Sequence, residues 1–237
     1  MLERIEAAAT AGFEGVEILF PYDEPAPEVR NALIMASLPL VLINCPPPNY
    51  TGGARGFAAQ SKQKDRFRRD FKRALRYVET LRAQRLHIMA GEAEGPEAHA
   101  CFVENLAWAA TTAPEVSLTI EPINTDDMPG YFLNDFDMAA EILDEVAAPN
   151  LTLQFDAYHA HKITGDVSGT WERHHTRVTH IQIAGAEGRH EPSAGGAIDY
   201  PAFFKAVDAV GYAGYISAEY FPAGRTEDGL AWLTDLR

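Results

Sequence analysis

The first candidates for chemistry are four side chains that carry oxygen atoms able to bind a metal. Each lies within or at the end of an apolar run. Glu121 follows Leu118-Thr119-Ile120 and precedes Pro122, which cannot donate to a strand ladder. Asp156, Gln182 and Glu219 interrupt or close similar runs. A carboxylate in such an apolar setting is unfavourable unless it is paired. Each of these residues alone is also consistent with an ordinary loop or ion-paired group, so the argument depends on their combination.

Polar residues recur at the ends of seven apolar runs in total. They are Glu17, Asn44, His87, Glu121, Asp156, Gln182 and Glu219. If these ends meet at one mouth, the carboxylates of Glu121, Asp156 and Glu219 must share protons or bind a cation. An oxygen-rich set with Gln182 as the fourth ligand suits Mg²⁺ or Mn²⁺, whereas zinc sites are usually built from Cys or several His.

The elements that would position these residues alternate between strand and helix along the chain. Strands are predicted at 15–20, 38–44, 85–90, 117–122, 151–156, 178–184 and 214–220. Helices are predicted at 27–35, 61–82, 97–113, 134–146, 161–175 (the weakest pattern), 200–210 and 227–236, with one more before the first strand. This alternation predicts a parallel sheet covered by helices, closed as a (β/α)₈ TIM barrel that forms a single domain over residues 1–237.

The strand count is one short of eight, and the remaining strand would precede the first helix. We therefore expect the chain as given to lack the first N-terminal strand of the barrel. An open doubly wound sheet is the alternative, but no GxGxxG turn follows any strand. The Gly-rich stretch 49–59 is predicted to be a long loop, of the kind that often serves as a lid.

Composition excludes several classes of partner. The 237 residues carry a net charge of -14, which argues against nucleic acid or an anionic membrane as a partner. Only two cysteines occur, and neither a signal peptide nor an apolar run of the roughly 18 residues that span a bilayer is present. We expect a cytoplasmic protein with a small-molecule partner. Aromatic helix faces are compatible with a homo-oligomer.

Several segments carry a family resemblance when they are taken together. They are LTIEPIN, QFDAYHAH, HIQIA with the following Gly188-Arg189-His190-Glu191-Pro192, SAEYFP, GFEGVEILFPYD and LHIMAG. Over nearly the whole chain, this pattern resembles the hydroxypyruvate isomerases of the xylose isomerase-like TIM-barrel superfamily. One departure is Ala197, where the family pattern leads us to expect Glu.

The resemblance implies roles for individual residues. Glu121, Asp156, Gln182 and Glu219 would bind one divalent metal, and Glu121 and Glu219 would also be the catalytic acid–base pair. His87, His159, Arg189 and Glu191 would contact the substrate. Arg189 would hold the substrate carboxylate through a bidentate contact.

The implied activity is an isomerase reaction between hydroxypyruvate and 2-hydroxy-3-oxopropanoate (tartronate semialdehyde). One Glu would remove the proton beside the carbonyl to give an enediolate, and a Glu would reprotonate the adjacent carbon, without an organic cofactor. A hydride shift ranks below this proton transfer. The alternatives are isomerisation of a related short acid sugar such as 2-oxo-tetronate, epimerisation of a ketose, and a truncated, inactive metal-binding barrel.

Overall fold

The computed structural model describes residues 1–46 and 55–236 and contains one sheet of seven parallel strands. The strands are β1 (Val16–Glu17), β2 (Leu40–Asn44), β3 (Arg85–His87), β4 (Ser117–Ile120), β5 (Leu151–Asp156), β6 (Val178–Ile183) and β7 (Ile216–Ala218). Their order in the sheet is their order in the chain. A doubly wound sheet reverses its strand order at a switch point, whereas a barrel does not. The predicted TIM-barrel architecture is confirmed.

Helices surround the sheet. They are α1 (Leu2–Thr10), α2 (Ala26–Ala36), α3 (Lys64–Leu81), α4 (Gly95–Thr112), α5 (Phe136–Val146), α6 (Ala157–Thr164), α7 (Val167–His174), α8 (Tyr200–Ala209) and α9 (Trp232–Asp235). The longer ones follow from sequence periodicity: Phe67, Phe71, Ala74 and Val78 of α3 recur at helical spacing and are all buried. Within the described ranges, no helix combines the length and the apolar character needed to cross a bilayer.

The barrel is nearly closed, with a gap between its first and last strands. In the part of the chain that the structure describes, no strand pairs with the outer edge of β1 or of β7. Residues of both strands line one cavity of about 950 Å³. The count of seven strands agrees with the prediction from the sequence. In an eight-stranded barrel, this gap is where the remaining strand would lie.

Two predicted helices differ from the observed structure. The segment 161–175 belongs to two helices, because Gly165 ends α6 in a left-handed conformation (φ 71°) and Asp166 caps α7. The helix predicted at 227–236 is wrong: a 3₁₀ turn at Thr226–Gly229 precedes only the short α9. Gly229 has a low helix propensity, and the Glu191 carboxylate occupies the space where a Cβ on Gly229 would lie.

Residues 49–54 of the predicted Gly-rich loop lie outside the described residues. In the described remainder, Phe57 is buried, so its ring packs in the core. The core also contains a cluster of aromatic rings around Phe155, whose ring centroid lies 5.4 Å from that of Trp171 and 5.7 Å from that of Phe203. This cluster supports β5, the strand that ends in Asp156.

Candidate active site

A cavity of about 490 Å³ opens at the C-terminal ends of the strands. This is the end of a (β/α)₈ barrel at which active sites form. Seven of the residues singled out from the sequence line this cavity: Asn44, His87, Glu121, His159, Gln182, Arg189 and Glu219. Asp156 is fully buried beside them.

A second layer of polar side chains lies beneath the first, because residues two apart on a strand point to the same face. Thr119 precedes Glu121 by two positions, Gln154 precedes Asp156, and His180 precedes Gln182. The members of this lower layer, Thr119, Gln154 and His180, are all buried. Buried polar groups must find hydrogen-bond partners within the protein, so the two layers are expected to be connected.

A continuous hydrogen-bond network makes this connection. Thr119 Oγ1 donates to Gln154 Oε1 over 3.2 Å, and Gln154 Nε2 donates to Gln182 Oε1 over 2.7 Å. Gln182 Nε2 then donates to Glu17 Oε2 over 2.8 Å, and His180 Nε2 hydrogen-bonds to Glu17 Oε1. Burial alone would raise the pKa of Glu17, but the charge of His180 and hydrogen bonds from His180, Ser217 and Gln182 lower it. Glu17 is therefore an ionised acceptor.

Three buried side chains bring possible metal-ligand atoms close together. Atoms of Glu121, Asp156 and His159 all lie within 4.8 Å of one another. Burial raises the pKa of Glu121 well above its usual range, and the charges of Asp156 and Glu219 raise it further. Burial also raises the pKa of Glu219 to about 7, with Arg189 opposing the shift. Both predicted ligands thus hold a proton more readily than an ordinary carboxyl group does, and a nearby positive charge would favour their ionised forms.

Asp156 and His159 are held by the junction between β5 and α6. Asp156 ends β5 and is the N-cap of α6, with Oδ1 accepting from the Tyr158 backbone N–H over 2.8 Å. The helix N-terminus stabilises its negative charge. His159 follows within the first turn, with Nε2 3.7 Å from Asp156 Oδ2. The Asp-x-x-His spacing therefore places both side chains at the cavity.

The two histidines offer opposite hydrogen-bonding groups. The Asn124 backbone N–H donates to His159 Nδ1 over 3.3 Å, which leaves the ring proton on Nε2. His87 Nδ1 lies 3.3 Å from Asn44 Oδ1, so its proton is on Nδ1 and the buried Nε2 is an acceptor without a partner among the described residues. Burial lowers the pKa of His87 to about 3 and that of His159 to about 4. Both rings are neutral at pH 7.

Arg189 links two of the carboxylates. Its Nη2 lies 2.9 Å from Asp156 Oδ2 and 3.0 Å from Glu219 Oε2. The guanidinium carbon also lies 5.0 Å from the centroid of the Tyr158 ring. The residue sits on the loop after β6 with a positive φ of 52°. Its charge is therefore engaged by two acids of this chain.

Glu191 is not among the described residues that line the cavity. Its two carboxylate oxygens lie 3.2 Å from the backbone N–H of Ala223, which donates to them. The structure thus brings together the other predicted site residues and places Glu191 on the neighbouring loop. There it packs against Gly229.

Five further residues at the site were missed by the interpretation of the sequence. They are Arg55, Asn124, Asp127, Gln154 and Tyr158. Gln154 could have been identified from the sequence, because it lies two residues before Asp156 on the same strand and therefore points to the same face. Arg55, Asn124 and Asp127 lie on loops, where no periodicity indicates the direction of a side chain. Tyr158 hydrogen-bonds to Asp127.

The residues present fit a divalent metal. Glu121 Oε1 is buried and has no hydrogen-bond partner in the described part of the chain. Buried unpartnered carboxylate oxygens are rare, because their desolvation is not compensated. Carboxylate and amide oxygens are the donors that Mg²⁺ and Mn²⁺ prefer.

Comparison with known proteins agrees with the fold. Residues 5–236 match the family model of the xylose isomerase-like TIM barrel. A 2-oxo-tetronate isomerase of Cupriavidus necator is 44% identical over 238 residues, covering 98% of this chain and 91% of that protein. The hydroxypyruvate isomerase of Escherichia coli is 34% identical over 242 residues, covering 100% of this chain and 93% of that protein.

A solved structure is similar over the full length. The crystal structure described as an AP endonuclease of family 2 from Brucella melitensis has a TM-score of 0.94 and 40% sequence identity, covering 100% of this chain and 93% of that chain. The family model and the curated relatives extend over nearly the whole chain. The chain is an isomerase that belongs to the xylose isomerase-like TIM-barrel family.

Proposed function

We propose that this chain is a metal-assisted isomerase that interconverts hydroxypyruvate and 2-hydroxy-3-oxopropanoate. The observation that carries the proposal is the buried Glu121 carboxylate, whose Oε1 has no partner within the described residues, in a cavity that Glu219 also lines. Two carboxyl groups with raised pKa values in one cavity are suited to moving protons near neutral pH. The names of the curated relatives support a sugar-acid substrate.

Glu121, Asp156, Gln182 and Glu219 would hold one Mg²⁺ or Mn²⁺. When bound, the ion would polarise the substrate carbonyl and keep the surrounding carboxylates ionised. Gln182 keeps one lone pair of Oε1 available, because Gln154 uses only the other.

The two glutamates move the proton. A carboxylate oxygen of one Glu takes the proton from the CH₂OH carbon of hydroxypyruvate, which leaves an enediolate. The other Glu, or the same one, returns a proton to the former carbonyl carbon, and a hydroxyl proton moves between the two oxygens. Atoms and electrons balance without an external oxidant or an organic cofactor.

The remaining polar groups orient the substrate. His159 Nε2–H donates to a substrate oxygen, and His87 Nε2 accepts from a substrate hydroxyl. Arg189 holds Asp156 and Glu219 in position and retains a buried Nε–H without a partner among the described residues, which is available to a substrate oxygen. Glu191 does not contact the substrate in this scheme; its carboxylate accepts a hydrogen bond from the backbone N–H of Ala223 and so holds that loop in place.

A second candidate substrate is 2-oxo-tetronate. It is favoured by the 44% identity to the 2-oxo-tetronate isomerase of C. necator. The same enediolate chemistry applies to this longer acid, and a cavity of about 490 Å³ accommodates it.

An activity assay with matched variants tests the proposal. The purified protein is treated with a chelator and assayed with hydroxypyruvate and with 2-oxo-tetronate, with and without Mg²⁺ or Mn²⁺. Loss of general acid–base catalysis in Glu121→Gln and Glu219→Gln should lower kcat by at least about 100-fold. Glu79→Gln, an exposed change on α3, is the control. Full activity after chelation, or in either site variant, would contradict the proposal.

A further inference from the structure

Two arginines line the cavity in the described part of the chain, and they differ in their partners. Arginine remains protonated throughout the pH range of proteins. Arg189 forms ion pairs with Asp156 and Glu219. For Arg55, no acidic residue among those described lies within ion-pair distance. Its guanidinium carbon instead lies 5.3 Å from the centroid of the Phe20 ring.

A close backbone contact fixes the chain next to Arg55. Gly56 and Gly91 both have positive φ, 77° and 84°. A Cβ on Gly56 would lie 2.5 Å from Met89 O, and a Cβ on Gly91 would lie 2.2 Å from Gly56 O. Only glycine fits these positions, because any Cβ would collide with backbone atoms.

Hydrogen bonds extend this contact beyond the glycines. The backbone N–H of Ala59 donates to Ala90 O over 2.9 Å, and that of Ala58 donates to Met89 O over 3.4 Å. Met89 itself lines the cavity. The segment that carries Arg55 is thus anchored against the chain that follows β3, and the exposed guanidinium is held at the rim of the cavity.

We propose that Arg55 binds the carboxylate of the substrate and is the residue that selects acids over neutral sugars. This inference rests on the proposed isomerase function. A guanidinium that stacks on an aromatic ring keeps its N–H edge free for a bidentate contact with a carboxylate. The lining also includes Glu121, Asp127 and Glu219, so an anionic substrate needs a positive charge that is not already paired.

The proposal moves the substrate-carboxylate contact, which the family resemblance gave to Arg189, to Arg55. Arg189 holds the carboxylates of the chain itself, and Arg55 holds the carboxylate of the substrate. The reacting carbons would then lie between Arg55 and the two glutamates. An acid longer by one carbon uses the same contact.

Steady-state kinetics of Arg55 variants test this role. Arg55→Gln should raise KM for the acid substrate about 10- to 100-fold, the usual effect of losing hydrogen bonds to a charged group, with a much smaller change in kcat. Arg55→Lys should recover part of the loss, because it keeps the charge but not the planar fork. Arg69→Gln, on the exposed face of α3, is the control.

Direct binding separates this inference from the proposed reaction. Glycerate and glycerol differ only in having a carboxylate or a hydroxymethyl group, and their affinities for the Mg²⁺-loaded protein are measured by calorimetry. Arg55→Gln should remove the preference for glycerate, and Arg69→Gln should retain it. An unchanged preference and an unchanged KM in Arg55→Gln would overturn the role of Arg55, even if the isomerase activity is found. An Arg55-dependent preference without turnover of either acid would support the carboxylate contact and overturn the reaction instead.

Discussion

The side-chain amide of Gln182 on β6 donates from Nε2 to Oε2 of Glu17 on β1 over 2.8 Å. An ionised carboxylate can only accept, so the amide nitrogen must face Glu17 and the amide oxygen must face away from it. Gln154 Nε2 donates to that oxygen from the other side. Glu17 is thereby a positioning residue for the amide oxygen of Gln182.

Replacing Glu17 by Gln should weaken metal binding. The amide of the new residue can donate to Gln182, so the Gln182 side chain is no longer restricted to one orientation. Changes to groups that orient metal ligands typically lower affinity about 10- to 100-fold. Calorimetric titration with Mn²⁺ measures the effect, with the exposed Glu14→Gln as the control on the same segment. An unchanged Kd in Glu17→Gln would show that the amide of Gln182 needs no such orientation.

Replacing His159 by Gln should slow the reaction without changing the affinity for the metal. Because the Asn124 backbone N–H donates to Nδ1, the Nε2 atom of His159 carries a proton and cannot bind a cation. Gln places a donor near that atom but loses the imidazole geometry. We expect kcat/KM to fall about tenfold, the value of one hydrogen bond to the reacting substrate, while Mn²⁺ affinity stays the same. A large fall in Mn²⁺ affinity would instead identify His159 as a ligand.

The buried His174 should make the protein less stable in mild acid. Burial lowers the pKa of His174, and the nearby Asp137 only partly offsets this. The unfolded chain therefore binds a proton at His174 near pH 6.5, where the folded protein does not, and the free energy of unfolding falls as the pH drops below about 6.5. Urea unfolding at several pH values should show a smaller pH dependence in His174→Gln than in wild type. The matched change His161→Gln, outside the core, is the control, and equal slopes in wild type and His174→Gln would refute this assignment.

The aromatic cluster beneath β5 should contribute strongly to stability. Phe203 is fully buried and contacts the rings of both Phe155 and Trp171. Phe203→Ala should lower the free energy of unfolding by about 3–5 kcal/mol, the usual cost of removing a large buried ring. The neighbouring Phe204→Ala, at a partly buried position, should cost clearly less. If urea unfolding gave similar losses of unfolding free energy in the two variants, the aromatic cluster would contribute no more to stability than the partly buried surface of the helix does.

The strand-end residues could be predicted from the sequence because polar residues that end buried strands must share one end of a barrel. The pairing of Asp156 with His159 also followed from local rules, since an N-cap and the first helical turn face the same way. Arg189 and Glu191 were harder to place. The direction of a loop side chain depends on the carboxylates and backbone groups that it meets, and these come from distant parts of the chain.

The position of Arg55 at the cavity could not be predicted from the sequence either. The two glycines that position it, Gly56 and Gly91, lie 35 residues apart, and only their close approach in space reveals the contact. The predicted C-terminal helix was wrong for a related reason: its apolar spacing was suitable, but Gly229 and the packed Glu191 end the turn.

Solvent deuterium incorporation is the measurement that tests the central claim most directly. Hydroxypyruvate is incubated with the Mg²⁺-loaded protein in D₂O, and the 2-hydroxy-3-oxopropanoate formed is observed by NMR before it exchanges spontaneously. Proton transfer through Glu121 and Glu219 predicts product that carries deuterium on C2, with both conversion and labelling lost in Glu121→Gln. Conversion with the substrate hydrogen fully retained on C2 would contradict proton transfer through two glutamates that exchange with solvent, and no conversion by the folded, metal-loaded protein would contradict the proposed reaction itself.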